Sequence, residues 1–114
     1  MFEISLPWPP SVNRIWRRSK FATYLSEVGK KYYAQTVPMI QSEYKDPQII
    51  GRVKITIYLY PPDNRKRDID NCLKAILDAF TRAGIWRDDS QIDVLTVARA
   101  NVVKNGSVRV RITY

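Results

Sequence analysis

The chain has 114 residues, of which 45% are hydrophobic and 26% charged, a composition typical of one globular domain. It contains no histidine and a single cysteine, Cys72, which excludes imidazole catalysis and an intrachain disulfide. Any catalysis must therefore use carboxylates, lysines, hydroxyls or a metal ion held by oxygen. The net charge of +8 favours a polyanionic partner, because lysine and arginine contacts to phosphates release counterions.

The first residues of the chain lack a basic region followed by a long apolar run, and no stretch of about 18 apolar residues occurs anywhere. We therefore expect a soluble, cytoplasmic protein with no membrane partner. The lone cysteine agrees with a reducing compartment.

The first third of the chain predicts a strand, a basic loop and a helix. Residues 2–6 form a short strand that ends at a run of prolines, because proline cannot donate to a β-ladder. Residues 11–18 are typical of a basic loop. Residues 26–44 carry apolar side chains largely at helical spacing, with Ser26 placed as the cap. Pro38 should kink or break this helix.

The middle of the chain predicts a strand followed by a second helix. Residues 52–60 alternate strictly and are rich in β-forming side chains, so they form the clearest strand. Residues 70–83 carry apolar residues on one helical face, and Gly84 is placed as the C-cap.

Two further strands are predicted at residues 92–103 and 107–113, joined by a hairpin turn at Asn105 and Gly106. The predicted order is strand, helix, strand, helix, strand, strand. This order indicates an α/β (α+β) fold, with one mixed four-stranded sheet and two helices packed on one face. No linker divides the chain, so residues 1–114 are expected to form a single domain.

Charged residues are unevenly distributed along the chain. Residues 1–67 contain 12 basic and 5 acidic side chains, residues 68–93 contain 3 and 6, and residues 94–114 contain 4 and 0. An acidic island thus lies within a basic protein. Grouped negative charge weakens binding to a polyanion unless a cation neutralises it, so the island is a candidate cation site.

The first acidic pair, Asp68 and Asp70, lies between the predicted strand and the second helix. In an extended chain residues two apart point to the same side, so both carboxylates would face one point. Lys74 follows one helical turn after Asp70 and would hold an ammonium group beside the pair. The alternative is that the acids only cap the helix and favour its dipole.

A second acidic pair, Asp88 and Asp89, follows the helix. We expect it to return to the same end of the sheet as the first pair, although an ordinary polar turn is the alternative. Three or four converging carboxylates suit Mg²⁺, which prefers oxygen ligands, and Mn²⁺ could replace it. The chemistry would be phosphodiester hydrolysis, in which Lys74 stabilises charge on the phosphate. Lys74 could instead be an ordinary helix lysine paired with Asp70 or Asp78.

Two basic stretches could hold a phosphate backbone, the first with Trp16 among its basic residues. A solvated charged surface is the alternative for both. The candidate DNA-binding residues are Asn13, Arg14, Arg17, Arg18, Lys20, Arg65, Lys66 and Arg67.

Three blocks of the chain resemble the RusA family of Holliday junction resolvases. They are residues 6–14 (LPWPPSVNR), 67–74 (RDIDNCLK) and 83–91 (AGIWRDDSQ), in that order and at fitting spacings. The resemblance covers nearly the whole chain. It implies a small, homodimeric, Mg²⁺-dependent endonuclease of bacterial or phage type that cuts four-way junction DNA by symmetric paired nicks.

Carried over by position, the resemblance implies that Asp68, Asp70 and Asp89 are metal-binding catalytic carboxylates. It also implies that Lys74 is a catalytic lysine, and Asp88 is an additional candidate metal ligand. A two-fold dimer would present two identical sites for two symmetric cuts. Aromatic residues beyond the needs of one core are candidates for the dimer surface, namely Trp8, Tyr32 and Tyr33.

Other functions stay open at this point. A catalytically silent, structure-specific DNA-binding protein would need no divalent ion and would tolerate loss of Asp70. A small protein-interaction module is disfavoured by the charge of +8. A nuclease acting on forks, flaps or RNA would carry the same residues, because branch recognition depends on shape.

Overall fold

In this computed structural model, which describes residues 1–20 and 22–114, the chain forms six strands and three α-helices. In chain order they are β1 (Phe2–Leu6), α1 (Val12–Ile15), β2 (Trp16–Arg18), β3 (Thr23–Leu25), α2 (Glu27–Glu43), β4 (Val53–Tyr60), α3 (Leu73–Ala83), β5 (Ile92–Arg99) and β6 (Ser107–Thr113). Two short 3-10 turns, Ile69–Cys72 and Asp89–Gln91, precede α3 and β5. None of the helices in the described part of the chain is long and apolar enough to cross a membrane.

Four strands form one mixed sheet in the order β1-β6-β4-β5. β6 is antiparallel to both of its neighbours, and β5 is parallel to β4. Alternate β4 side chains, among them Ile55, Ile57 and Leu59, are buried in one core with residues of α2 and α3. The expected α+β fold, with a mixed four-stranded sheet and two helices on one face, is therefore confirmed.

The predicted hairpin between the last two strands is wrong. β5 ends at Arg99, earlier than expected, and β6 pairs with β1 and β4 and not with β5. The turn itself is present, since the N–H of Gly106 donates to the carbonyl of Val103 at 2.8 Å and Asn105 has φ 68°. Local turn chemistry reverses the chain, but α3 joins β4 to β5 as a crossover that makes these two strands parallel neighbours.

Helix α2 begins as the sequence predicts. The hydroxyl oxygen of Ser26 accepts the N–H of Gly29 at 3.1 Å and so satisfies one of the first free donors of the helix. The helix continues through Pro38 without the expected break. Ala34, whose carbonyl loses its helical donor at Pro38, is exposed, so water can replace that hydrogen bond.

The basic segment predicted as a loop is more ordered than expected. Residues 12–15 form α1, and β2 pairs with β3 as a two-stranded ribbon. Ser26 joins this unit to α2, because its hydroxyl donates to the carbonyl of Arg14. Helix α3 starts three residues later than expected, after a 3-10 turn, and ends as predicted at Gly84, which has φ 81°.

The turn before β6 should be sensitive to substitution. Gly106 has φ 71°, and a Cβ atom at this position would lie 2.8 Å from Cβ of Trp8. Gly106→Ala should therefore lower the free energy of unfolding by about 1–3 kcal/mol, measured by urea denaturation. Gly51→Ala is the matched control, because no atom lies within 4 Å of the added carbon. Equal stability losses in both variants would contradict this account of the turn.

Candidate active site

The loop between β4 and α3 is braced by its own charges. The Asp63 carboxylate accepts the N–H of Arg65 at 3.0 Å and forms an ion pair with Arg67 at 2.8 Å. These two contacts hold the pKa of Asp63 below its ordinary value. The Arg67 guanidinium also lies over the Trp8 ring, 5.8 Å from its centroid. Arg67 is thus held by the fold, whereas Arg65 and Lys66 are exposed.

The first acidic pair follows this loop directly. Asp68 is exposed at the N-cap position of the 3-10 turn, yet its side chain makes no capping hydrogen bond, and Asp70 is exposed within the turn. Among residues 1–20 and 22–114, neither carboxylate has a hydrogen-bond or ion-pair partner. The capping alternative for Asp68 is therefore not what the structure contains, and both carboxylates can accept an external ligand.

The Lys74 ammonium group forms an ion pair with Asp78, one turn along the helix, and not with Asp70. Its Nζ lies 3.2 Å from Oδ1 of Asp78, whose other oxygen accepts the hydroxyl of Tyr33 at 3.2 Å. The Lys74 side chain is 49% exposed. The ammonium group is therefore open to a phosphate, although its partner Asp78 is only 16% exposed.

Asp89 lies at the opposite end of α3 from the first acidic pair. Its Oδ1 accepts the hydroxyl of Thr81, in the last turn of α3, at 2.5 Å and the indole N–H of Trp86 at 3.2 Å. Trp86 is fully buried, so its indole is fixed by the core. Within the described residues Oδ2 of Asp89 accepts no hydrogen bond. One oxygen of this carboxylate is therefore held in place while the other is available.

Thr81 and Trp86 were not identified from the sequence. Both positions fit ordinary core or helix-end roles, and a threonine eight residues before an aspartate is no recognisable motif. Trp86 lies within the IWRDD segment, close to Asp89 in sequence. Its indole N–H needs an acceptor when buried, and this was the one feature of the sequence that could have indicated the contact.

Asp88 makes its hydrogen bonds within its own turn. Its carboxylate accepts the hydroxyl of Ser90, which holds the pKa of Asp88 below its ordinary value. Its backbone N–H donates to the side-chain oxygen of Gln91 at 3.1 Å. These contacts match the polar-turn alternative for this residue.

The two acidic pairs do not meet within one chain. Helix α3 has 11 residues, so the ends on which Asp70 and Asp89 lie are about 16 Å apart. In a strand-helix-strand unit the loop before the helix and the loop after it lie at opposite ends of the sheet, contrary to the expected convergence. Across the described ranges 1–20 and 22–114, no three acidic or cysteine side chains are placed to share a metal ion.

Part of each basic stretch lies near the first acidic pair. Arg65 and Lys66 precede it in the chain, and α1, which carries Asn13 and Arg14, packs against the 3-10 turn that contains Asp70. Arg17, Arg18 and Lys20 continue from α1 as an exposed basic segment. The segment 65–67 and the residues Asn13 and Arg14 of α1 therefore lie beside the end of α3 that carries the first acidic pair.

A cavity of about 530 Å³ opens beside Asp68. Its lining includes Trp8, Arg67, Ile69, Cys72 and Arg99. Burial raises the pKa of the Cys72 thiol, which makes it a poor nucleophile.

Two of the aromatic residues proposed for a dimer surface belong to the core. Tyr32 and Tyr33 are each 5% exposed, and their rings contact each other edge to face. Their hydroxyls bond to the carbonyl of Pro7 and to Asp78. They are consequently unavailable to a partner subunit, because both side chains fill the core of the single chain.

Comparison with known proteins identifies the same family that the three sequence blocks resemble. The family profile described as "Endodeoxyribonuclease RusA" matches residues 7–113. Proteins named crossover junction endodeoxyribonuclease RusA from Shigella sonnei (strain Ss046), Escherichia coli (strain K12) and Enterobacteria phage 82 are each 39% identical over 112 residues. The alignments cover 98% of this chain and 93% of each relative. The chain therefore belongs to the RusA endodeoxyribonuclease family.

Proposed function

We propose that this protein is a structure-specific endodeoxyribonuclease that resolves Holliday junctions by paired symmetric nicks, using Mg²⁺ held by aspartates. Family membership and the names of the relatives support the junction substrate. The observation that carries the chemistry is a pair of exposed carboxylates, Asp68 and Asp70, which follow the basic segment 65–67 and have no partner within the described residues. Such charges would repel DNA unless a cation joins them to the phosphate.

The residues present fit a magnesium or manganese ion. Asp68 and Asp70 offer exposed oxygen ligands, and Oδ2 of Asp89 offers another on a carboxylate that is already oriented. When bound, such an ion supplies electrophilic stabilisation of the phosphate and lowers the pKa of a bound water. The contacts of Asp88 with Ser90 and Gln91 make it the weakest of the four candidates.

The chain's own side chains would bind and orient the DNA strand. Arg65, Lys66 and Arg14 of α1 would hold backbone phosphates on either side of the acidic pair. Lys74 would release Asp78 and donate to a phosphate oxygen as negative charge develops there. Thr81 and Trp86 would keep Asp89 in position.

A homodimer would bring together the two acidic pairs that lie apart in one chain. Antiparallel α3 helices about a two-fold axis would bring Asp89 of the partner subunit to the end of α3 that carries Asp68 and Asp70. Each active centre would then be composite, and two such centres would supply the two symmetric cuts. The separation of about 16 Å along one α3 helix supports this arrangement.

The Asp70→Asn variant tests the chemistry. A labelled four-way junction and a matched linear duplex would be incubated with the protein in Mg²⁺ or in EDTA. We expect the wild type to cut only the junction and only with Mg²⁺, and Asp70→Asn to lose about 10³-fold or more of this activity. Binding in EDTA should survive in the variant, because removing one negative charge does not weaken contacts to phosphate.

Two results would refute this proposal. Tight junction binding without cutting under any divalent ion would leave a non-catalytic DNA-binding protein. Unchanged cutting by Asp70→Asn would remove the aspartate from the chemistry.

The contacts of Asp89 predict a milder effect at Thr81. Thr81→Val keeps the shape of the side chain but removes the hydroxyl that donates to Asp89. We expect kcat for junction cutting to fall about tenfold, and the Mg²⁺ concentration for half-maximal rate to rise, because such orienting contacts tune metal sites. Junction affinity in EDTA should not change. Thr113→Val, at the exposed end of β6, is the control; an equal loss there would contradict a specific role for Thr81.

A further inference from the structure

The ribbon formed by β2 and β3 has one face turned to the protein and one turned away. Trp16 and Leu25 lie opposite each other in the ribbon, and both are partly buried against the core. Successive side chains of a strand point to opposite faces, so the next cross-strand pair, Arg17 and Tyr24, lies on the outer face. Arg17 is exposed, and Tyr24 is 51% exposed. Among the described residues, the aromatic side chain on the outer face is therefore Tyr24 and not Trp16.

The backbone of the ribbon is held at both ends. Ser26, directly after β3, is buried, and its N–H donates to the carbonyl of Ile15 in α1 at 2.7 Å. At the opposite end the N–H of Ser19 donates to the carbonyl of Ala22 at 2.7 Å. The fold therefore determines which way the ribbon presents Tyr24.

The fold itself does not use the Tyr24 ring. Within residues 1–20 and 22–114 its hydroxyl forms no hydrogen bond, and its ring contacts no other aromatic ring or cation. Tyr114 is similarly exposed, at 46%, but its hydroxyl donates to Asp46 at 2.6 Å and its ring lies edge-on to Tyr44. Single exposed aromatic rings are common on protein surfaces, so the surroundings of Tyr24 decide what it can bind.

The surroundings of Tyr24 are basic. Residues 4–26 contain four basic side chains and no acidic one. Arg17 lies directly across the ribbon from Tyr24, and the Cβ atoms of such pairs are about 4.5–5.5 Å apart. Proteins bind unpaired nucleotides with this combination, in which an aromatic ring stacks on the base and cations bind the phosphates. The outer face of the ribbon therefore fits a nucleotide whose base is exposed.

The ribbon is close to the candidate active site along the chain and in space. It continues directly from α1, which packs against the 3-10 turn that contains Asp70. Tyr24 pairs with Arg17, two residues beyond α1, which places it about 7 Å along the ribbon from that helix. A DNA strand held at the first acidic pair would therefore reach the ribbon within a short stretch of nucleotides.

We propose that Tyr24 stacks on a base that is exposed at the branch point of a four-way junction, while Arg17 beside it binds the phosphate of that nucleotide. In a linear duplex every base is paired and stacked, and exposing one costs a few kcal/mol. At a branch point the stack is interrupted. Tyr24 is thus a positioning residue that favours branched over linear DNA. This inference rests on the proposed function, because it takes the junction as the substrate.

Binding measured in EDTA tests this role without any cutting. Tyr24→Ala should weaken binding to a four-way junction about 5- to 150-fold, the effect of removing one stacking ring, and change binding to linear duplex less than about twofold. Tyr24→Leu should show the same loss, because leucine is apolar but has no ring, whereas Tyr24→Phe should bind as the wild type does. Urea denaturation would check that each variant folds.

Two further variants serve as controls. Tyr114→Ala removes an equally exposed ring just after β6 and should leave junction affinity unchanged. Arg17→Ala should weaken binding to the junction and to linear duplex alike, because both DNAs offer phosphates.

Photocrosslinking tests directly whether the ring contacts a base. Single thymines beside the branch point would be replaced in turn with 5-iodouracil, and the complexes would be irradiated in EDTA. At least one position should give an adduct that mass spectrometry maps to Tyr24. The same base in the middle of an arm should give no adduct at Tyr24, and neither should any position with the Tyr24→Leu variant.

Three results would overturn the stacking role: wild-type junction affinity in Tyr24→Ala or Tyr24→Leu, equal losses of affinity for junction and duplex in Tyr24→Ala, or no adduct at Tyr24 from any position at the branch point. A protein that gave one of these results and still cut junctions would keep the proposed function without this role. Junction-selective binding that depends on the Tyr24 ring, without Mg²⁺-dependent cutting, would support the stacking role and count against the proposed function.

Discussion

Co-expression of the Asp70→Asn and Asp89→Asn chains should restore junction nicking that neither variant shows alone. In a composite centre, the mixed dimer has one centre with both changes and one with neither. With random assembly half of the dimers are mixed, so about a quarter of the wild-type number of centres would be intact. The products should be single nicks rather than paired cuts, because each mixed dimer has one working centre.

A matched mixture separates this result from partial activity of either variant. Asp68→Asn and Asp70→Asn change carboxylates at the same end of α3, so each centre of their mixed dimer carries one change and no nicking should return. Differently tagged chains would allow mixed dimers to be purified before assay on labelled junctions. Rescue in neither mixture would assign the carboxylates to one chain, and equal rescue in both would exclude a composite centre.

Lys74→Met should lower kcat for junction cutting by about 10²- to 10³-fold, the cost typical of removing one group that stabilises transition-state charge. Asp78 is only 16% exposed and keeps the hydroxyl of Tyr33 as a donor when the lysine is removed, and urea denaturation checks that the variant folds. Junction affinity should change by less than about threefold, since one lysine among many contacts supplies little of the binding.

A second lysine in a similar local pair provides the control for Lys74. Lys30 lies 3.5 Å from Glu27 on α2 and is more exposed. Lys30→Met should cut junctions at the wild-type rate. Equal losses of kcat in both variants would show that the rate depends only on the net positive charge of the protein. A loss of junction affinity without a loss of kcat would make Lys74 a binding residue.

Much of the fold follows from local sequence. The alternation of Val53 to Tyr60 fixes which side chains of β4 enter the core, and Gly84 supplies the left-handed residue that ends α3. Pairing of β5 with β4 rather than with β6 could not be predicted in this way. An Asn-Gly turn reverses the chain in many settings, whereas strand order is decided by contacts between segments far apart in sequence.

The proximity of the first two carboxylates could be predicted from the sequence, but the position of Asp89 relative to them could not. Asp68 and Asp70 share a short segment, so their proximity follows from chain geometry alone. Asp89 lies beyond helix α3, whose length places it farther from Asp68 and Asp70 than expected. The fixing of Asp89 by Thr81 and Trp86 depends on the path of the chain after α3, which no local pattern encodes.

Mapping the cuts in a four-way junction tests the central claim most directly. Each of the four strands would be end-labelled in turn, incubated with the protein and Mg²⁺, and resolved on a denaturing gel. We expect cuts in two opposite strands at symmetry-related positions, yielding nicked duplexes that DNA ligase can seal. Cuts in a single strand only, cuts scattered along the arms, or equal cutting of linear duplex would contradict a junction resolvase with two equivalent centres.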